Sequence, residues 1–417
     1  MFIMGQNNQC IELSNQQQLR RAHLRQVFDL VLENKHTSRT WMANRLKLST
    51  TAVSSLVDEL LENDILVSKG LGKSKTAGRK PLIVEINNNW QQIATFKLNV
   101  NEINFVLFDM TCTPIEVIKK KFSGNDYINY IKDILNSSER INHEKISAIC
   151  LSVPAIADPN SQRLLLNVLD IEDDKAFLQE VSNIYPDAVL LVGNDSANYA
   201  YAEKEYSHSK DVDNLIYINY GYGIGAGIII NSEIFNGAGG CPGEIGHMSI
   251  DMNGPQCMCG NKGCLERLIN IPAVLREVRT KIGQGGFSQI TRLCKHDLNA
   301  IDIEIVAAAY KNKDLLARDV MNDIAEKLSI GIRNIISIFN PQVIVLGGEA
   351  HHFGEDFLKT VIKETLSRGA WKSIADVDIR YTNISEHGSN VGIAKYFLDN
   401  VVSFENKDYY MKERKSL

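Results

Sequence analysis

The segment from Tyr220 to Leu268, YGYGIGAGIIINSEIFNGAGGCPGEIGHMSIDMNGPQCMCGNKGCLERL, constrains this chain more than any other. Within it, Cys257-x-Cys259-x4-Cys264 follows His247. Three thiolates and one imidazole at this spacing suit the tetrahedral Cys3His shell of a structural Zn2+, one ion per chain. Gly254, Gly260 and Gly263 let the backbone fold back so that ligands this near in sequence converge. The bland alternative is a cluster of buried thiols. Just upstream, Gly221, Gly223, Gly225 and Gly227 alternate in what reads as a loop running into a strand at Ile228–Ile230. Such a run suits a phosphate cradle or a tight turn between strands.

The 417 residues exceed what one core organises and suit two or three domains. No stretch approaches the roughly 20 apolar residues of a membrane helix. The opening Met1-Phe2-Ile3-Met4-Gly5-Gln6 lacks the basic and apolar regions of a secretory signal. A cytoplasmic protein is expected, with its cysteines as thiols or metal ligands rather than disulfides. The net charge of −5 is uneven: residues 1–90 carry twelve Lys/Arg against eight Asp/Glu, and the remainder is acidic. A basic end on an acidic body suggests a nucleic-acid module.

The pattern of that end agrees. Apolar residues at 24, 27, 28, 30 and 31 predict a helix over Leu19–Glu33. Thr37-Ser38-Arg39 supplies N-cap chemistry for a short helix to about Leu46, and a third follows from Thr50 to Asn63. Ile65–Val67 and Leu82–Ile86 read as strands flanking a basic loop that ends Gly78-Arg79-Lys80-Pro81. This is the order of a winged helix-turn-helix, over residues 1–88. Arg39, Thr50, Thr51, Ser54 and Ser55 are the candidate DNA contacts of the helices, and Lys73, Lys75, Arg79 and Lys80 those of the wing. Asn87-Asn88-Asn89 reads as a linker.

Beyond it, short apolar runs alternate with amphipathic ones. Ile103–Phe108, Ile146–Val153, Val189–Val192, Leu215–Asn219 and Val343–Leu346 read as buried strands, and Lys175–Ile184 and Arg318–Ile338 as helices. The fold class is α/β. Asn194-Asp195 sits at a strand end, where α/β crevices open. Together with Glu244, His247 and Glu266 it makes an acceptor-rich set suited to a polyhydroxylated ligand.

GEIGHM, CMCGNKGCLE, the Asn-Asp after a strand and NPQVIVLGG resemble the ROK family of sugar-responsive repressors and sugar kinases, over nearly the whole chain. With its winged helix the chain resembles the repressor branch. The run from Ile250 to Cys257 and the GRKP wing resemble the xylose repressors of Gram-positive bacteria. The resemblance implies an actin-like, hexokinase-like (ribonuclease H-like) body of two α/β lobes with the sugar between them. The first lobe would span 92–200, completed by a C-terminal helix at about 388–402. The second would span 201–387 and carry the zinc site and a dimerisation surface. Sugar contacts would be Asn194, Asp195, Glu244, His247 and Glu266, and the zinc ligands His247, Cys257, Cys259 and Cys264. His247 could serve metal and sugar through different ring nitrogens.

The departures from the kinase pattern separate repressor from enzyme. Where kinases open with Asp-x-Gly-x-Thr, this chain has Lys97-Leu98-Asn99-Val100-Asn101. Tyr222 stands where the second phosphate loop carries Thr, Ala155 where Gly is usual, and Glu349 where adenosine would lie. The expectation is a non-enzymatic repressor of carbohydrate utilisation genes, partnered by operator DNA and a small sugar, with no membrane partner. It would act as a homodimer or a pair of such dimers. A sugar kinase with a regulatory domain, and a repressor controlled by a partner protein, are the alternatives.

Overall fold

The computed structural model of the chain describes residues 1–4, 15–34, 37–71, 82–165, 168–240, 242–367 and 376–402. The chain divides into two compact units. An N-terminal unit comprises Phe2–Val153, Gln162–Val192 and the chain from Ile393 on. A site unit comprises Met1, Pro154–Ser161 and Gly193–Gly392.

The N-terminal unit begins with the expected winged helix. Helix Asn15–Asn34 buries Leu24, Val27, Phe28 and Val31, one stripe at helical spacing. The Ser38 hydroxyl accepts from Trp41 N–H and so caps helix Arg39–Leu46. Lys47 then ends that helix in the left-handed region. Ser49 caps helix Thr50–Glu62, which buries Val53, Leu56, Val57 and Leu60. Each such cap contributes about 1 kcal/mol. Leu66–Leu71 and Leu82–Ile86 pair antiparallel, and Thr37–Ser38 adds a third strand beside Leu82–Ile86. Two residues are too few to show a strand's period, so only the fold reveals that third strand.

The rest of the unit is built on a six-stranded sheet. Its order is Phe2–Met4, Val189–Asn194, Ile146–Val153, Gln92–Asn99, Glu102–Asp109 and Pro114–Lys121. Ile146–Val153 is buried at every residue and runs parallel to Gln92–Asn99, as a continuous apolar run predicts. The outer strand Pro114–Lys121 alternates exposed and half-buried and ends in three lysines, which discourage further edge pairing.

The site unit holds a five-stranded sheet: Glu233–Ile234, Ile224–Ile230, Leu215–Tyr220, Val343–Gly348 and Asp378–Tyr381. The first three pair antiparallel and the last three parallel. Helices Leu315–Phe339, Ile271–Gly283, Ile303–Lys311 and Glu355–Leu366 pack into its main core. Helix Asp195–Tyr206 lies wholly in this unit, ahead of the expected boundary at residue 200. It packs directly on strand Ile224–Ile230.

That packing corrects the reading of the alternating glycines. The strand starts at Ile224, so Gly225 and Gly227 lie within it rather than in a loop. A Cβ on Gly227 would stand 2.1 Å from Ser196 O and 2.5 Å from Ala200 Cβ. The glycine is there because helix backbone meets strand backbone with no room for a side chain. Among the described residues no helix is long and apolar enough to cross a membrane.

Replacing Gly227 with Ala forces helix and strand apart and is expected to destabilise the protein by about 1–3 kcal/mol. Gly283→Ala, at the exposed last residue of helix Ile271–Gly283 with nothing within 4 Å, is expected to leave stability unchanged or raised. Thermal midpoints of the two variants, measured side by side, check the contrast.

Candidate functional site

The four residues His247, Cys257, Cys259 and Cys264 converge through a compact knuckle. Cys257 N–H donates to Asn261 O at 2.8 Å and Gly260 N–H to Cys257 O at 3.1 Å, closing a tight turn around Cys259. Ile250 N–H to Gly263 O and Leu265 N–H to Met248 O, each 2.9 Å, zip the knuckle's ends together. The four ligand atoms all lie within 4.8 Å of one another. Cys257 Sγ is 3.7 Å from His247 Nδ1, and Cys259 Sγ is 3.6 Å from Cys264 Sγ. A tetrahedron of Zn–S bonds has an edge of about 3.8 Å, so the set fits a Zn2+ held by all four. Burial pushes the Cys264 thiol up to about 12. A bound divalent cation reverses that, because the thiolate is the ligand.

His247 faces two ways. Nδ1 points to the cysteines, while Nε2 lies 3.7 Å from Glu244 Oε2. The turn Ile245–His247 sets this spacing, with His247 N–H donating to Glu244 O. The half-buried Glu244 carboxyl is raised by burial; His247 opposes this, and the charges of Glu266 and Asp195 add to it. Glu266 also lies beside the Ile245–His247 turn, its Cβ 3.1 Å from where a Cβ on Gly246 would stand.

Each carboxylate is also held by the chain. Glu266 Oε2 accepts Ile224 N–H at 2.9 Å, bracing the start of the glycine-rich strand. Asp195 is buried, its Oδ1 accepting from Ser196 Oγ and its Oδ2 from Asn219 Nδ2, both at 3.2 Å. Asn219, the penultimate residue of strand Leu215–Tyr220, escaped the sequence reading. Its only signal was a polar residue in an otherwise apolar strand. Asn194 is used differently from its neighbours. Its Oδ1 caps helix Asp195–Tyr206 by accepting Ser196 and Ala197 N–H, and its Nδ2 donates to Ala155 O at 3.1 Å. Little of its carboxamide is left for a ligand.

Tyr222 is 74 % exposed at the mouth of the glycine turn, its carbonyl held by Asn270 Nδ2 at 2.9 Å. Glu349, just after Val343–Gly348, pairs with His352 at 3.0 Å. In the N-terminal unit, Lys97 and Asn99 lie within strand Gln92–Asn99, and Asn101 turns through φ +60°.

The candidate DNA contacts divide in a similar way. Thr50 and Thr51 are exposed at the first turn of helix Thr50–Glu62, and Ser54 is half-buried. Ser55 Oγ accepts from Arg20 at 3.3 Å. Arg39 forms an ion pair with Asp58, tying helix Arg39–Leu46 to the helix that follows. Lys73, Lys75, Arg79 and Lys80 lie outside the described residues.

The sequence profile described as ROK family matches residues 100–400. The chain belongs to the ROK family. A xylose repressor from Caldicellulosiruptor bescii is 28 % identical over 388 residues, 91 % of this chain and 96 % of that protein. A solved ROK family transcriptional regulator, described as a homolog of the E. coli MLC protein, matches with a TM-score of 0.79 at 22 % identity. That match covers 91 % of this chain and 97 % of the regulator. A ROK family glucokinase from Streptomyces griseus, solved with glucose and AMPPNP, matches with a TM-score of 0.64 at 19 % identity. It covers 73 % of this chain and 98 % of the kinase. The expected family and α/β fold with its N-terminal winged helix are therefore met, and that fold is common to regulators and kinases.

Cys264→Ser removes one of the four ligands and is expected to abolish stoichiometric metal binding. Metal content by mass spectrometry after purification without chelator checks this. Zinc retained at the parent level would refute the ligand set.

Proposed function

We propose that this chain is a transcriptional repressor of carbohydrate utilisation genes, which binds operator DNA and responds to a small sugar. The observation that carries the reading is a winged helix joined to a site that keeps its acceptor carboxylates but not its phosphate loops. Asp195, Glu244 and Glu266 offer acceptors to hydroxyl groups, and Nε2–H of His247, whose other nitrogen faces the cysteines, offers a donor. A triphosphate would instead meet the side chain of Tyr222, and the Lys97–Asn101 segment carries neither the acid nor the small residues that phosphate transfer needs. The protein is not an enzyme. Asp195, with both oxygens accepting from neighbours, binds a hydroxyl rather than abstracting its proton.

Xylose or a related sugar is the effector, a reading supported by the xylose repressor from C. bescii over nearly its full length. One Zn2+ per chain, held by His247, Cys257, Cys259 and Cys264, is structural because four protein ligands close its shell. It fixes the turn that presents Glu244 and His247. The protein works in the cytoplasm as a homodimer, since one winged helix reads one half-site and half-sites lie about 34 Å apart. Thr50, Thr51 and Ser54 face the major groove, and Lys73, Lys75, Arg79 and Lys80 contact phosphates and the minor groove.

Two outcomes test the reading. Asp195→Asn is expected to abolish the sugar response while leaving sugar-free operator binding intact, measured by gel shift on an operator selected from random DNA. A variant that responds to D-xylose, D-glucose and N-acetylglucosamine as the parent does would place the pocket elsewhere. Operator affinity is also expected to fall steeply with salt, because each phosphate contact contributes a slope of about −0.9 in log K against log salt. Arg79→Ala should flatten that slope, and an unchanged slope would remove the wing from the interface.

A further inference from the structure

Arg25 sits in the middle of helix Asn15–Asn34, within the winged helix, yet its partners come from the far end of the chain. Its guanidinium donates to the backbone carbonyls of Asp399, at 3.0 Å, and of Val402. It pairs with Asp29 at 2.8 Å and lies over the ring of Phe28, 5.6 Å from its centroid. Phe28 in turn meets Trp90 edge-on at 6.3 Å, just beyond the linker asparagines.

The two carbonyls belong to the turn that follows helix Gly388–Tyr396. Helix Gly388–Tyr396 runs on into a single π-turn, Phe397–Val401, closed by Val402 N–H donating to Phe397 O at 3.0 Å. Carbonyls at the end of a helical segment mark the negative end of its dipole and favour a cationic donor. A planar guanidinium with five donors can bond two of them at once, which an ammonium group does poorly. Lys395 fixes the same turn from the other side, through the Asp399 carboxylate at 2.6 Å.

That helix begins in the site unit and ends in the N-terminal unit. At its start Tyr199 Oη donates to Glu386 O at 2.9 Å. A Cβ on Gly392 would lie 1.8 Å from Asn198 O, so helix Gly388–Tyr396 is in backbone contact with helix Asp195–Tyr206. The first residue of the latter helix is Asp195 of the candidate sugar site. The other end of helix Gly388–Tyr396, within the N-terminal unit, leads into the turn that Arg25 bonds.

We propose that Arg25 is the positioning residue that couples the winged helix to helix Gly388–Tyr396, so that movement of this helix resets the DNA-binding helices. The coupling acts through its two carbonyl bonds. Its regulatory meaning rests on the proposed repressor function, but the mechanical link does not. Arg25→Ala removes both bonds; Arg25→Lys keeps the charge beside Asp29 but can bond one carbonyl at a time.

Hydrogen–deuterium exchange of the full-length protein tests the link without any ligand. In Arg25→Ala, amides in both 15–34 and 393–402 are expected to exchange about tenfold faster or more, the factor that charge-assisted hydrogen bonds carry. Those of helix Thr50–Glu62 should stay protected, and Arg25→Lys should fall between parent and Arg25→Ala. Faster exchange in 15–34 alone would overturn the coupling, and loss of protection in 50–62 as well would show Arg25 to be merely structural. Operator binding is then measured with and without D-xylose and D-glucose, alongside calorimetric sugar binding. Arg25→Ala is expected to bind sugar like the parent but to show no sugar-dependent change in operator affinity, and a retained response would overturn the proposal. If the parent responds to neither sugar while the exchange result holds, the choice of effector falls and the link stands.

Discussion

The backbone contact between helix Asp195–Tyr206 and strand Ile224–Ile230 underlies the rest of the site unit. Gly227 permits it, and three other features of the site are tied to the same strand. Ile224 N–H is bound by Glu266, Ala226 N–H donates to Gly243 O just before Glu244, and the helix N-terminus carries Asp195. Acidic groups from three distant parts of the sequence thus converge because each is hydrogen-bonded to, or packed on, one short strand. A close-packed backbone contact leaves little play in the groups that it positions.

Bringing three carboxylates together costs electrostatic energy, and burial of Glu244 adds to it. The chain offsets this with donors: Ser196 and Asn219 for Asp195, and the Ile224 N–H for Glu266. His247 bridges to the knuckle, where the cysteines and one imidazole nitrogen form a second, softer site. The two sites share a residue, so ordering of one by a metal orients the other, as outer partners of metal ligands commonly do. The same skeleton can support a kinase or a sensor. Fold likeness to a glucokinase accordingly carries no argument for catalysis.

Among the contacts that hold the winged helix to its unit are Arg25 on the π-turn Phe397–Val401 and Phe28 on Trp90. That attachment combines a guanidinium on backbone carbonyls with an aromatic pair. A ligand can shift the placement of such a module only by its preference for one state.

Sequence by itself determined the elements whose physics is local. The three helices of the winged helix, the serine cap of the second, the buried strand Ile146–Val153 and the Cys3His set all follow from side-chain period, capping chemistry or ligand spacing. So did the identity of the acidic cluster, through motifs that span only a few residues each. Tertiary structure alone decided what those residues do for one another. It placed Gly225 and Gly227 inside a strand, turned Asn194 into a helix cap, directed Arg39 to Asp58 and Ser55 to Arg20, and supplied Asn219 as a partner of Asp195. The bond between Arg25 and Val402 joins residues 377 positions apart. The reason is common to all of these: a hydrogen bond or a backbone contact between distant segments leaves no period in the sequence, because each partner is fixed by the other's position in space.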